Sequence, residues 1–114
     1  MIDIENYRLK RAHLRANEIC KKLTKPFDLT PARFEVLAFI RDVGGTCRQS
    51  EIWSRLDVSR ATICRMLDAM EVKGLLWRAE EEGDRRQRTV GLTDHGRACL
   101  EKATDVFRAY RAAA

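Results

Sequence analysis

The part of the sequence that most constrains the fold lies between residues 48 and 92, where two helical segments are followed directly by two strand-like segments. Residues 48–56 have the pattern of a short helix, and Asp57-Val58 forms a tight link to the next one. Ser59 is a favoured N-cap for that second helix, which extends to about Lys73. Gly74 follows it, at a position where helices commonly end with glycine.

A β-hairpin is predicted to follow these two helices. LLWRAE (75–80) and RTVGL (88–92) have the composition of strands, and Gly83 can adopt the positive φ that the tip between them requires. Two helices joined by a short turn and followed by a hairpin form a winged helix-turn-helix. The sequence therefore predicts a mainly α fold with a small β-hairpin, in a single domain of residues 1–114.

A further helix before this motif has a clear start signal. Thr30 is placed as its N-cap and Pro31 as its first helical residue. Leu29 and Phe34 lie at the two positions of a hydrophobic staple, and Gly44-Gly45 ends the helix.

Helices are also predicted at both ends of the chain, over residues 3–23 and 94–112. In the first, apolar residues alternate steps of three and four along one narrow seam, formed by Leu9, Ala12, Ala16, Ile19 and Leu23. Two interpretations stay open: the seam packs on the chain's own core, or two subunits share it. Because the core of so short a chain is small, we expect a homodimer that uses both flanking helices.

Charge and helix geometry favour nucleic acid as a partner. The net charge is +5 and the pI is about 9.3, a basic bias that attracts acidic molecules. The second helix of a helix-turn-helix can enter the major groove of double-stranded DNA and present its N-terminal residues to base edges. We therefore predict that residues 59–73 form a recognition helix. Its contacts would come from Ser59 and Thr62 to phosphates or bases, Ala61 to a thymine methyl group, and Arg65 to a guanine or a phosphate.

The hairpin tip, within EEGDRRQRTV (81–90), is predicted to be the DNA-contacting wing over residues 81–88. A thin tip fits beside the duplex, and Arg85 or Arg86 can enter the narrow, electronegative minor groove. Asp84 would orient a neighbouring arginine through a carboxylate–guanidinium fork. The acidic residues 80–82 are expected to face away from DNA or to pair with Arg85 or Arg88.

Four segments together resemble the MarR family of winged helix-turn-helix transcriptional regulators. They are LTPARFEVL (29–37), QSEI (49–52), LDVSRATICRMLDAMEVKGLLWR (56–78) and DRRQRTVGLTDHG (84–96), and the last is the most specific. The resemblance covers about residues 29–96. It implies a sequence-specific regulator that binds double-stranded DNA as a homodimer, and we expect a repressor. It also implies a small-molecule effector, which no residue identifies.

The resemblance also assigns roles to single residues. Arg86 would be the minor-groove arginine and Asp84 its orienting partner. Asp68 and Arg78 would form a structural pair that ties the recognition helix to the wing. The resemblance places four further residues in the recognition helix: Ser59, Arg60, Thr62 and Arg65.

The sequence departs from the family pattern at three places. Trp53 stands where the family usually has a small residue, and Cys64 replaces the usual Ser or Thr beside the recognition face. The family usually continues through a further C-terminal helix that builds the dimer interface. Here only residues 3–23 and 94–112 are expected to supply that interface.

Other function classes have little support in the sequence. It contains no catalytic triad pattern, no Gly-rich phosphate loop and no zinc-like spacing, so we expect neither an enzyme nor a metal or other cofactor. Apolar runs are too short to cross a bilayer and no signal peptide is visible, so we expect a cytoplasmic protein with reduced cysteines. Cys20 has two interpretations, a peroxide-sensing thiol or a small buried apolar residue. The alternative function is a winged-helix adaptor that binds a protein partner instead of DNA.

Overall fold

The computed structural model describes residues 4–56, 58–81 and 83–113, with the backbone alone described at residues 81 and 84–87. It confirms the predicted winged helix-turn-helix. In chain order the elements are α1 (Ile4–Thr24), a 3-10 turn (Lys25–Phe27), α2 (Pro31–Asp42), β1 (Thr46–Arg48), α3 (Gln49–Arg55), α4 (Arg60–Val72), β2 (Leu76–Glu81), β3 (Asp84–Leu92) and α5 (Asp94–Ala113). Among these described helices, none is both long and apolar enough to cross a membrane.

The local signals for helix ends act as predicted. Thr30 Oγ1 accepts a hydrogen bond from the Arg33 amide at 3.2 Å, and Ser59 Oγ accepts one from the Thr62 amide at the same distance. Gly74 has a φ of +74°, which ends α4 in the left-handed conformation that glycine adopts without strain. These contacts fix where α2 and α4 begin and where the hairpin leaves α4.

The small sheet has three strands, whereas the sequence predicted two. All pairs are antiparallel in the order β1-β3-β2, so β3 is central. In β1 the buried Cys47 lies opposite the buried Val90. The prediction missed β1 because three residues carry almost no periodic pattern, and their pairing partner lies far along the chain. The helix predicted from residue 48 consequently begins at Gln49.

The core lies between α2, α4, α5 and the inner face of the sheet. From α4 it takes Ile63, Leu67 and Met70, as the helical period predicts, whereas Met66 is only partly buried. The opposite face of α4 is exposed, as predicted, and consists of Ala61, Arg65, Asp68 and Val72. One helix is therefore held by its apolar stripe while its other face is available to a partner.

The predicted seam on α1 is buried at one end only. Ile19 and Leu23 are half-buried, but Leu9 is 68% exposed and Ala12 and Ala16 are also exposed. The apolar side chains of α5 show the same gradient, from the fully buried Leu100 and Ala103 to Tyr110, which is 47% exposed. Packing on the chain's own core thus accounts only for the last turns of α1.

Candidate nucleic-acid interface

The predicted contact residues at the start of α4 form one exposed surface. Arg60, Ala61, Thr62 and Arg65 are all exposed, because the apolar stripe of α4 turns them away from the core. Ser59 also lies here, and its hydroxyl has structural partners: besides capping α4 it lies 2.8 Å from Thr62 Oγ1. The structure therefore brings these five predicted residues together within the first two turns of α4 and its N-cap.

Arg65 is oriented by its own helix. Its Nε donates to the Ala61 carbonyl at 3.4 Å, which directs the guanidinium along the exposed face. A surface ion pair with Asp68 or Glu71 would be the alternative for an exposed arginine at this position. Instead, both carboxylates bind Arg78, and within the described part of the chain neither binds Arg65.

The predicted pair of Asp68 and Arg78 is present and contains a third member. Arg78 extends from β2 to α4, where its Nη2 contacts Asp68 Oδ1 and lies 3.1 Å from Glu71 Oε1. The Arg78 side chain is only 8% exposed. Burial lowers its pKa, but the hydrogen bonds that Arg78 donates to Asp68 and Glu71 outweigh that effect and leave the pKa raised overall. Glu71 was not predicted as a partner of Arg78, although it lies three residues after Asp68 on the same helix face.

The backbone of the wing is positioned by β2 and β3. Gly83 lies at its tip with a φ of +88°, as its place in the hairpin predicts. The backbone of Asp84, Arg85 and Arg86 begins β3, but their side chains lie outside the described part of the structure. The strand register places the acidic Glu80 opposite Arg88, one of the two arginines named as candidate partners for residues 80–82.

Trp77 supports this hairpin from outside. Its indole covers Gly91 on the neighbouring strand so closely that a Cβ built there would lie 2.3 Å from the ring. Trp77 is therefore a packing residue of the sheet.

Trp53 makes a contact that the sequence did not predict. The guanidinium carbon of Arg60 lies 4.9 Å from the centroid of the Trp53 ring, which is cation–π geometry. This contact joins α3 to the first residue of α4. The sequence contains one hint of this contact, because Trp53 and Arg60 lie seven positions apart on either side of the short link between two predicted helices.

All four cysteines are free thiols. Cys20 is half-buried beside a cavity of about 300 Å³ between α1 and α5, whose apolar lining includes Phe107 and Tyr110. Burial, with a smaller contribution from Glu51, raises the pKa of Cys47 to about 11. Cys64 accepts a hydrogen bond from Gln49 Nε2 at 3.6 Å. The peroxide-sensing role of Cys20 stays a hypothesis.

Comparisons with known proteins agree with this geometry. Residues 27–87 match the sequence profile of the MarR family. An HTH-type transcriptional regulator of Bacillus cereus is 35% identical over 96 residues, which cover 84% of this chain and 63% of the relative. The chain thus spans less than two thirds of that relative's length.

Two solved structures combine close similarity with bound DNA. The transcriptional repressor CouR, bound to a 23-mer DNA duplex, is 40% identical with a TM-score of 0.81 over 89% of this chain and 70% of that one. The M. tuberculosis transcriptional regulator MosR, in complex with DNA, is 31% identical with a TM-score of 0.77 over 93% and 76%. The family profile alone matches more than half of the chain, over the α2-to-wing segment that carries the candidate interface. This protein therefore belongs to the MarR family.

Proposed function

We propose that the protein is a sequence-specific double-stranded DNA-binding transcriptional regulator, and specifically a repressor. Helix α4 would lie in the major groove and the wing, residues 81–88, at the minor groove. The observation that carries the proposal is the exposed, polar and basic start of α4, held by the Ser59 cap at one end and tied to β2 by Arg78. Helix and hairpin are thereby held as one unit. A surface that recognises a DNA sequence needs its contact residues on such a rigid support.

Similarity to proteins of known partner supports this proposal. CouR and MosR share the fold over about nine tenths of this chain, and both were solved with DNA. CouR is a repressor, which supports the sign of regulation that we propose. A regulator of this kind acts in the cytoplasm, and we propose that location here.

Each residue of the interface has a proposed role. Arg65 would reach a guanine or a phosphate, and Ala61 allows close approach and contact with a thymine methyl group. Ser59 and Thr62 would add contacts to phosphates or bases beside the helix N-terminus. At the wing, Arg86 would enter the minor groove with Asp84 as its orienting partner, and Arg85 would flank it.

A homodimer is the second part of the proposal. The distal ends of α1 and α5 expose apolar residues, among them Leu9 and Tyr110, that a second copy would cover. Two recognition helices related by a two-fold axis would then read half-sites about 34–36 Å apart, one turn of the duplex. An effector that alters DNA affinity is part of the same proposal, without an assigned binding residue.

Selection of binding sites from a random pool of duplexes tests the function. We expect the wild type to enrich an inverted repeat and the Arg65→Ala/Arg86→Ala variant to fail. The Arg41→Ala/Arg97→Ala variant is the matched control, because it removes the same charge from α2 and the start of α5, away from both the α4 and wing surface and the distal ends of α1 and α5. Arg86→Ala alone should weaken binding by about 1–3 kcal/mol.

Two outcomes would contradict the proposal. If the wild type enriches no sequence and shows only weak, salt-sensitive binding, the result favours the alternative function of an adaptor, and a protein partner should be sought. If the charge-matched control loses enrichment as completely as the interface variant, binding depends on net charge and not on the α4 and wing surface.

A further inference from the structure

The contact between Trp53 and Arg60 joins the two helices of the helix-turn-helix at their elbow. Trp53 is half-buried on α3 and packs against the hydrophobic core, so its ring is held in place. Its indole Nε1 is buried and has no hydrogen-bond partner within the described part of the chain. Packing, and not a hydrogen bond, therefore sets the orientation of the ring. One face of the ring points toward Arg60.

Arg60 is an exposed side chain whose described partner is that ring. Its guanidinium carbon lies 4.9 Å from the ring centroid, and no ion pair joins Arg60 to a carboxylate within the described residues. An unrestrained arginine loses much rotamer freedom when it binds a ligand. Stacking on a fixed aromatic face restricts the guanidinium beforehand while its N–H donors stay available at the ring edge and outer face.

The position of this pair indicates which group on DNA it would meet. In a helix-turn-helix the first helix crosses the phosphate backbone, while the N-terminal residues of the second helix point to the bases. Arg60 is the first residue of α4 but leans back over α3. The stacked guanidinium is therefore on the side of α4 that approaches the backbone, beside the helix N-terminus, which also favours phosphate.

We propose that Trp53 is a positioning residue for DNA binding, which holds the Arg60 guanidinium at the α3–α4 elbow for a backbone phosphate. This inference rests on the proposed function and adds a residue to it. Trp53 itself need not touch DNA.

A double-mutant cycle on DNA affinity tests the coupling. Arg60→Ala should weaken binding similarly on all duplexes and lower the salt dependence by about one phosphate contact per protomer. Trp53→Leu should weaken binding by about two- to fivefold per protomer, the range of an exposed cation–π contact, yet keep the salt dependence because Arg60 still reaches its phosphate. In the Arg60→Ala background, Trp53→Leu should have no further effect.

Conservative variants separate positioning from packing. Trp53→Phe keeps an aromatic face and should restore most of the affinity that Trp53→Leu loses. Arg60→Lys keeps the charge but loses the planar stack, so it should behave like Trp53→Leu. Thermal unfolding of each variant shows whether the fold is retained.

Fluorescence tests the stack without DNA. The chain has two tryptophans, so Trp77→Phe leaves Trp53 as the single emitter. Adding Arg60→Ala should change the Trp53 emission of the free protein, whereas adding Arg65→Ala should not.

The outcomes distinguish a failure of this inference from a failure of the proposed DNA-binding function. If the wild type fails to bind any duplex, both are overturned. If the wild type binds DNA but the losses from Trp53→Leu and Arg60→Ala simply add, the function stands and the positioning role is wrong. An unchanged emission on Arg60→Ala would likewise overturn the stack.

Discussion

Two glycines show how the same added methyl group has different consequences at different sites. A Cβ at Gly96 would lie 1.8 Å from the Leu75 carbonyl oxygen, which is backbone and cannot move without shifting the α4–β2 connection. The atoms nearest to a Cβ at Gly91 would all belong to the Trp77 indole, a partly exposed side chain that can rotate outward. We expect Gly96→Ala to lower the free energy of unfolding by about 3 kcal/mol and Gly91→Ala by about 1 kcal/mol, measured by urea denaturation.

The helix itself provides the control for the first of these. Gly96 lies in the first turn of α5, where alanine would otherwise favour the helix by about 1 kcal/mol. Ala109→Gly, at an exposed position of α5, measures that propensity with no packing change. A Gly96→Ala protein as stable as the wild type would show that Leu75 does not approach α5 this closely.

Cys47 should be the least reactive of the four thiols. It is buried in β1 and its pKa is raised to about 11, so at pH 8 very little of it is the thiolate that alkylating reagents attack. Because folding raises this pKa, the fold loses stability as the pH rises from the ordinary cysteine value of about 8.5 toward 11. We expect iodoacetamide at pH 8 to modify Cys47 last, as followed by mass spectrometry.

Unfolding supplies the comparison for this thiol. In concentrated urea at the same pH all four cysteines should react at similar rates, since burial is lost. Native-state modification of Cys47 as fast as that of the half-buried Cys20 would contradict the burial of β1 against β3.

At the scale of elements, Arg78 decides whether α4 and the hairpin move as one body. Its two partners on α4 are well exposed, so losing one carboxylate leaves Arg78 paired, while losing both leaves a buried, unpaired cation. We expect Asp68→Asn to cost about 1 kcal/mol and Asp68→Asn/Glu71→Gln about 3–5 kcal/mol in free energy of unfolding. Amide hydrogen exchange in β2 should accelerate in the double variant, because the hairpin is released from α4.

The matched control for Arg78 removes carboxylates elsewhere on the surface. Asp42→Asn/Asp105→Asn takes away two exposed carboxylates whose ion pairs are solvated, so it should change the stability little. If the Arg78 double variant proves no less stable than this control, the ion pairs do not hold the elements together.

The elements that the sequence predicted are those whose signals are local. Thr30 and Ser59 cap helices through bonds to residues three positions on, and Gly74 needs only its own φ, so nearby residues suffice to predict them. The strand β1 forms only when it pairs with β3, and the Trp53–Arg60 stack forms only when α3 and α4 pack together. Neither contact has a signal within a single predicted helix or strand. The wing arginines were inferred from their place beside Gly83, and their side-chain roles stay predictions.

At the scale of the whole molecule, the chain is more extended than a self-sufficient domain. Its Cα radius of gyration is 16.2 Å, with extents of 54 × 36 × 22 Å, whereas about 13 Å is typical of a compact domain of this length. The excess is consistent with the ends of α1 and α5, whose apolar residues are exposed. A second copy that packed on these ends would complete a core that one chain leaves open.

A charge on the exposed seam should therefore separate the subunits and change how DNA is bound. We expect the wild type to sediment at twice the 13.2 kDa chain mass at micromolar concentration, and Leu9→Glu to shift it toward the monomer, since a carboxylate buried between apolar helices is costly. The same variant should lose its preference for an inverted repeat over a single half-site. Each separated chain keeps its α4 and wing and can still bind one half-site, but it is no longer linked to a second copy. Val43→Glu, an exposed apolar residue after α2, is the control and should leave both properties unchanged. If Leu9→Glu remained dimeric, the seam would lie outside the interface; if the wild type were monomeric yet still preferred the inverted repeat, DNA itself would bring the two copies together.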